Sequence, residues 1–443
     1  MPASPSRVLT GITTSGTPHL GNYVGAVRPA IAASRDPGSE SFFFLADLHS
    51  LIKAQDPART QRSTLEIAAT WLAAGLDPAR VWFYRQSDIP EITELTWYLT
   101  CVAGKGILNR AHAYKAAVDR NRAEAEDDDS GVTAGLFMYP VLMAADILIF
   151  NAHRVPVGRD QVQHIEMARD FGQRFNHVYG RDWFTLPEAV VEAHVATLPG
   201  LDGRKMSKSY GNTIPLFAPP EELRKLVFSI VTDSRAPGEA KDTEGSALYE
   251  LYRAFADDDG AAAFAAAFAD GIAWGEAKQR LADLLEREIA PLRERYLDLV
   301  ARPGDIEDIL RDGARRLRER YATPLLMQLR EAVGLRDLSG VRLEAIEADS
   351  QVHGPPLATF KQYRESDGRF YFKLVQGDRV LLQSHAFDAP RDAGQAIAAL
   401  RRGALPLAQA PAALGEGAAE ADVRAALDAL AAADADKAAK TQP

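Results

Sequence analysis

The sequence predicts an α/β protein in which a parallel sheet wrapped by helices leads into an α-helical domain and then a small α+β extension. Three observations carry that expectation. In the first half, short apolar runs closed by turn residues alternate with helical patterns, and such alternation builds a parallel sheet. From Pro219 the chain changes to long amphipathic helical patterns. After Gly340 it changes again, to three strand-like runs separated by the turn pairs Asp367-Gly368 and Gly377-Asp378.

Taken in order, residues 8–12 form a first strand, helical periodicity follows over 20–33, and 41–45, containing Phe42-Phe43-Phe44, is a second strand. Residues 65–74 are an Ala-rich helix, and 80–84 a third strand after Asp77-Pro78. Residues 88–150 read as mostly helical, broken by the acidic stretch 124–129, expected as a mobile loop. Strands are also expected at 155–157 and 195–198. Helices are expected near 220–231, 246–270, 274–301, 305–319 and 322–333. In the extension, 359–364, 370–375 and 379–384 read as strands and 390–400 as a closing helix. Residues 404–443 are Ala-rich and acidic without an aromatic side chain; they read as a tail or an isolated helix, with disorder the default expectation. The implied domains are 1–218 with a helical insertion at about 88–150, then 219–338, 339–403 and the tail 404–443.

Of the 443 residues, 47% are hydrophobic and 25% charged, the balance of a globular chain with room for a large core. No apolar run approaches the roughly 20 residues that span a bilayer, and no signal-peptide pattern opens the chain. Cys101 is the only cysteine, which excludes an intrachain disulfide, a thiolate zinc site and an iron–sulfur cluster. A cytoplasmic location is expected, with no membrane partner. The net charge of −10 argues against a generally basic nucleic-acid binder, so any such surface must be local.

Ligands on parallel sheets sit at the carboxyl ends of the strands, which singles out the turn Thr13-Thr14-Ser15-Gly16. Glycine lets the backbone approach a ligand, and the helix N-terminus beyond it presents free N–H groups to phosphate. His19 opens that helix and can donate to a phosphate oxygen. Gly21 clears space for a flat ring, and Asn22 can contact it. Alone, such a turn is more simply a capped strand–turn–helix. It gains a partner in Lys205-Met206-Ser207-Lys208-Ser209, held between the turns Asp202-Gly203 and Gly211-Asn212. Two ammonium groups there can neutralise a departing pyrophosphate, and Ser207 and Ser209 add hydrogen bonds. A third feature is Asp146, a carboxylate among Ala144, Ala145, Ile147 and Leu148 that needs a partner.

The early Pro18-His19-Leu20-Gly21-Asn22 and the late Lys205-Met206-Ser207-Lys208-Ser209 resemble the two nucleotide-binding signatures of class I aminoacyl-tRNA synthetases. The resemblance implies that residues 1–218 are a Rossmann-like catalytic domain. The segments 135–148 and 155–166 resemble the tryptophanyl members of that class. This family likeness covers about 7–335. It implies catalytic roles for His19, Lys205 and Lys208. It implies ATP contacts from Thr13, Thr14, Ser15, Gly21, Asn22, Gly158, Arg159, Asp160, Val195, Lys205, Met206, Ser207, Lys208 and Ser209. It implies a tryptophan pocket of Asp146, Tyr139, Met143, His49 and Gln161, with Asp146 accepting from the indole N–H. Phenylalanine would leave that carboxylate unpaired, a basis for discrimination of about 10⁴–10⁵. Implied partners are L-tryptophan, ATP with Mg²⁺ arriving on its phosphates, tryptophan tRNA received by the helical domain, and a second copy in a homodimer. No protein-bound metal is expected.

Alternatives stay open at this level. A tyrosyl enzyme would usually carry Gln in place of Met143 and paired glycines before Asp160-Gln161, and a non-charging tRNA-binding regulator is the other reading. An Arg partner is the plainer reading for Asp146. Thr13-Thr14 stands where many relatives have Gln-Pro, and compact members lack the block after Gly340. Arg311, Arg315, Arg316, Arg318, Arg320 and Arg330, interleaved with few acids, read as phosphate contacts or as a solvated helix face. Trp97, Tyr98, Leu99, Ile107 and Leu108 read as a dimer surface or as core. The basic and aromatic residues of 357–400 read as added nucleic-acid affinity or as a packing module.

Overall fold

A computed structural model describes residues 5–12, 14, 16–53, 55–191, 197–335, 338–340 and 357–440, with the side chains of 340 and 435–440 excepted. Thr13, Ser15 and Val195 lie outside the described residues, as does the start of the strand expected at 195–198. The chain divides into two compact units, Met1–Leu335 and Arg336–Pro443. The helices after Pro219 up to Leu335 fall within the first of these units.

Strands β1 (Ser6–Ile12), β2 (Ser39–Leu45), β3 (Trp82–Arg85), β4 (Arg154–Pro156) and β5 (Glu188–Val190) form a wholly parallel sheet in the order β3-β2-β1-β4-β5. The strand order reverses at β1, and the crevice beyond that strand is where such sheets bind ligands. Both faces are covered. Leu9, Phe42, Phe44 and Tyr84 pack into one layer with Ile147 and Phe171. Ile12, Phe43, Leu45 and Phe83 pack into the other with Ile67, Trp71 and Leu310. Two buried faces explain why β2 reads as a continuous apolar run rather than an alternating one. Helix Pro303–Leu317 lies against β3 so closely that a Cβ on Gly313 would meet the Phe83 carbonyl oxygen at 2.0 Å.

After β1 the chain enters a helix of three pieces, Leu20–Asn22, Tyr23–Val27 and Arg28–Ala33, the middle one a π turn. The insertion contains Pro90–Val102, Lys105–Leu108, His112–Ala123 and Ala134–Leu148. Its acidic stretch is a tied turn rather than the free loop expected. Asn121 donates to the carbonyls of Asp128 and Ser130 at 3.0 and 2.7 Å, and Arg122 pairs with Asp128. The long helix expected over 246–270 is two helices, Ala247–Phe255 and Asp258–Ala269. The Asp257 carboxylate accepts from Gly260 N at 2.8 Å and so caps the second one.

In the second unit, β6 (Thr359–Arg364), β7 (Phe370–Gln376), β8 (Arg379–Ser384) and β9 (Ala412–Leu414) form an antiparallel sheet in sequence order. Helix Pro390–Arg401 packs on it. The tail expected to be disordered instead supplies β9 and helix Glu420–Lys440. Val423, Ala426 and Leu430 are buried against Phe372, Leu374 and Leu382. Three apolar side chains at helical spacing suffice to seat a helix whose remaining composition is small and charged.

Candidate active site

The two sequence motifs meet because the chain around Pro215 runs antiparallel to the start of the first helix. Leu20 N donates to Ile214 O, and Leu216 N to Pro18 O, both at 3.0 Å, with a bridge between His19 and Pro215. Met206 anchors the second motif: its side chain is 4% exposed, in one cluster with Leu20 and Val24. That side chain packs in the core. Asn212 shapes the loop. Its amide accepts from Ser207 N at 2.8 Å and donates to Asp202 at 2.6 Å and to Lys205 O at 3.1 Å. The hydroxyls of Ser207 and Ser209 bond each other at 2.8 Å.

This arrangement brings Lys208 onto the first motif. A Cβ on Gly16 would meet its Nζ at 3.0 Å, and Gly16 has φ +71°, a backbone conformation that favours glycine. Helix Pro57–Ala73 braces the turn: Ser63 Oγ accepts from Gly16 N at 3.3 Å, and Glu66 accepts from Thr17 Oγ1 at 3.2 Å. Burial and the neighbouring Arg59 lower the pKa of Lys208, while Glu66 opposes the shift.

His19 is 8% exposed and caps its helix, its Nδ1 accepting from Asn22 N at 3.3 Å while Asn22 Oδ1 accepts from His19 N at 3.1 Å. Burial, then the Lys208 charge, lowers its pKa to about 4. The ring is therefore neutral near pH 7. With Nδ1 an acceptor, the proton sits on Nε2. A Cβ on Gly21 would stand 3.1 Å from the same ring.

A cavity of about 510 Å³ opens at the switch strand, lined by Gly11, Gly16, Pro18, Asn22, Gly158, Gln161 and Lys208 among others. Gln161, expected near tryptophan, thus stands on the same cavity as Asn22 and Lys208. Arg159, Asp160 and Lys205 are exposed, and none lines it. Asp160 folds back on Gly158, where a Cβ would meet Oδ1 at 2.6 Å. Thr14 is buried, with a hydroxyl that has no hydrogen-bond partner among the described residues.

Asp146, on helix Ala134–Leu148, is fully buried. Among the described residues its partners are His49 and Gln86 rather than an Arg. His49 Nε2 lies 2.8 Å from Oδ2, and Gln86 Nε2 donates to Oδ1 and Oδ2 at 2.8 and 3.0 Å. Gln86 cannot flip, because its oxygen accepts from Leu48 N at 3.1 Å. Burial raises the pKa of Asp146, and His49 and Gln86 work against the shift. Three contacts leave acceptor capacity for one more N–H. Tyr139 OH bonds His164 Nε2 at 2.6 Å, and its ring meets that of His49 edge-on at 6.5 Å. Met143 packs, partly exposed, against the same core. Among the described residues no group of three or more His, Cys, Asp or Glu could hold a metal ion.

Sequence reasoning missed Gln86 and His164. Gln86 sits in Arg85-Gln86-Ser87-Asp88, where nothing local marks an amide as buried. His164 stands within the segment 155–166, where no role of its own was marked. The arginine cluster is also less free than expected. Arg311 pairs with Glu307, Arg315 and Arg316 with Asp312, Arg318 with Glu91 and Arg330 with Glu94. Arg320 lies over the Trp82 and Tyr321 rings. Tyr98, Leu99 and Leu108 are core, whereas Trp97 is 66% exposed.

Residues 1–289 match the family described as tRNA synthetases class I (W and Y). The chain is 74% identical over 406 residues to a tryptophan–tRNA ligase of Xanthomonas axonopodis pv. citri, covering 91% of this chain and 93% of that one. A match of that length reaches into the second unit. It is 59% identical over 403 residues to a tryptophan–tRNA ligase of Pseudomonas putida, covering 90% and 89%. Among solved structures, the tryptophanyl-tRNA synthetase of Campylobacter jejuni complexed with ADP and tryptophan superposes with a TM-score of 0.68 at 39% identity, over 74% of this chain and 100% of that one. With the two signatures meeting at the switch strand and relatives of this closeness, the chain belongs to the class I tRNA synthetases of the tryptophanyl and tyrosyl family.

Proposed function

We infer that the chain is a tryptophan–tRNA ligase. It joins L-tryptophan to ATP, giving tryptophanyl-adenylate and pyrophosphate, and passes the tryptophanyl group to the terminal ribose of tryptophan tRNA. The observation that carries this reading is the convergence of His19, Gly16 and Lys208 on the switch strand. The 74% identity to a ligase of that name supports the choice of amino acid.

In the first step the tryptophan carboxylate attacks the α-phosphorus and pyrophosphate leaves. Neutral His19 donates through Nε2–H to a phosphate oxygen as charge shifts. Lys208, with Lys205 on the same loop, neutralises the departing pyrophosphate. Mg²⁺ enters on the ATP phosphates. In the second step a ribose hydroxyl attacks the adenylate carbonyl carbon and AMP leaves, without a covalent enzyme intermediate. Asp146 accepts from the indole N–H with its remaining lone pair. His49 and Gln86 keep that carboxylate aimed, Tyr139 and Met143 wall the pocket, and Gln161 reaches the ammonium group from the cavity rim. The enzyme acts in the cytoplasm as a homodimer, with exposed Trp97 the first candidate for the contact.

The test is amino-acid-dependent ATP–pyrophosphate exchange with tryptophan and tyrosine side by side. Exchange with tryptophan alone is expected. Exchange with tyrosine would keep the chemistry and overturn the pocket, and exchange with neither would favour a non-charging binder. Lys208→Ala should slow the exchange by roughly 10²–10³, and a wild-type rate would remove Lys208 from the mechanism.

A further inference from the structure

We propose that one face of the second unit's sheet docks unpaired nucleotides of the tRNA, a role that rests on the charging reaction inferred above but uses none of its catalytic residues. Phe372 and Leu374 of β7 are fully buried in the cluster that holds helices Pro390–Arg401 and Glu420–Lys440. By strand alternation Tyr371 and Lys373 face the other way. The register sets Tyr363 opposite Tyr371, Lys361 opposite Lys373, and Gln383 beside Lys373 on β8. These five side chains share one face, and each is partly or fully exposed.

The face is preorganised. The Tyr363 and Tyr371 rings stack with centroids 5.8 Å apart and 21° between planes. Their hydroxyls are held, Tyr363 accepting from Gln383 at 2.6 Å and Tyr371 donating to Asp367 at 2.7 Å. Lys373 Nζ lies 5.5 Å from the centre of the Tyr363 ring.

Apart from the contact of Lys373 with the Tyr363 ring, the described residues give no stabilising partner to the lysine pair. Like charges directly opposite on antiparallel strands destabilise the pairing. Among the described residues neither Lys361 nor Lys373 forms an ion pair, whereas Arg369 and Arg379 at the rim pair with Asp388 and Asp422. An anionic ligand relieves the repulsion. The tyrosine stack specifies which anion: bases of single-stranded RNA stack on exposed aromatic rings while lysines take the phosphates. An acidic protein would use the lysines and leave the rings idle, and a duplex would not offer base faces. Residues 357–402 carry eight Lys and Arg against five Asp and Glu, in a chain whose net charge is −10.

The experiment uses the full chain with Lys361→Gln and Lys373→Gln together, and separately Tyr371→Ala and Tyr371→Phe. Measured are the KM and kcat of tRNA charging, pyrophosphate exchange, and fluorescence anisotropy with tRNA, with an unrelated RNA single strand and with an acidic polypeptide. The expected result is a KM for tRNA raised about five- to tenfold in the lysine and Tyr371→Ala variants, restored in Tyr371→Phe, with kcat and exchange unchanged. The salt dependence of tRNA binding should fall by a slope of about 1.4 in the lysine variant. Unchanged tRNA KM and binding would overturn the proposal. So would loss of binding to the unrelated strand alone, which would give the face to another RNA, or tighter binding of the acidic polypeptide, which would give it to a protein. If the unaltered chain exchanges no pyrophosphate, the charging reading fails, and the tRNA anisotropy of the variants still decides the face.

Discussion

At the residue scale, His19 joins two requirements. Its Nδ1 caps the helix and its burial keeps the ring neutral, so the Nε2 proton is available without a charge to carry. The neutral state has a consequence for pH. A folded pKa of about 4 below the unfolded value near 6.5 means that protons bind the unfolded chain first as pH falls. Stability is lost between those two values, and at neutral pH His19 contributes no such term. Urea unfolding at pH 7 and pH 5 should therefore show a larger loss for the wild type than for His19→Asn, and equal losses would disprove the buried neutral state. Gln86→Ala should raise the KM for tryptophan and cost about 1–3 kcal/mol of stability, because Asp146 loses a buried donor. His19, Lys208 and Asp146 were legible from sequence because each stands out locally, in a motif or as a charge among apolar residues. Gln86 was not, because its burial arises only when β3 stacks against the helix bearing Asp146. The individual roles of Arg159, Asp160 and Lys205 rest on resemblance, since the structure leaves them off the cavity.

At the element scale, helix Pro303–Leu317 meets β3 through a glycine rather than a side chain. Gly313→Ala should lose about 1–3 kcal/mol by overpacking against the Phe83 carbonyl, read as a lowered urea midpoint; an unchanged midpoint would mean that the helix can retreat at no cost. Most elements were legible to within a few residues, since the first strands are apolar runs and helix 274–301 is strongly amphipathic. The split at Asp257 was missed because apolar and alanine positions on both sides keep one helical period, while the break is carried by the extended Ala256 and by the Asp257 carboxylate that caps the second helix. The helix Glu420–Lys440 was legible only as an alternative to disorder, for the opposite reason. Its apolar stripe is short, and its acidic, alanine-rich surface outweighs it in any compositional reading.

At the scale of the whole molecule, the two units differ in how sequence disclosed them. The first announced its chemistry, and the second only its strands. Removing residues 420–443 should uncover Phe372 and Leu382, and protease should then cut the second unit while leaving Met1–Leu335 intact. A protease-resistant second unit would show that the helix is an ornament. The bonds that tie Leu20 to Ile214 and Pro18 to Leu216 have a consequence in time. Nearly all of the nucleotide fold lies between their ends, so they close one of the longest loops in the chain, and long-range closure comes late. Refolding followed by helical circular dichroism should run ahead of refolding followed by pyrophosphate exchange, because the chain must finish folding before His19 and Lys208 are neighbours.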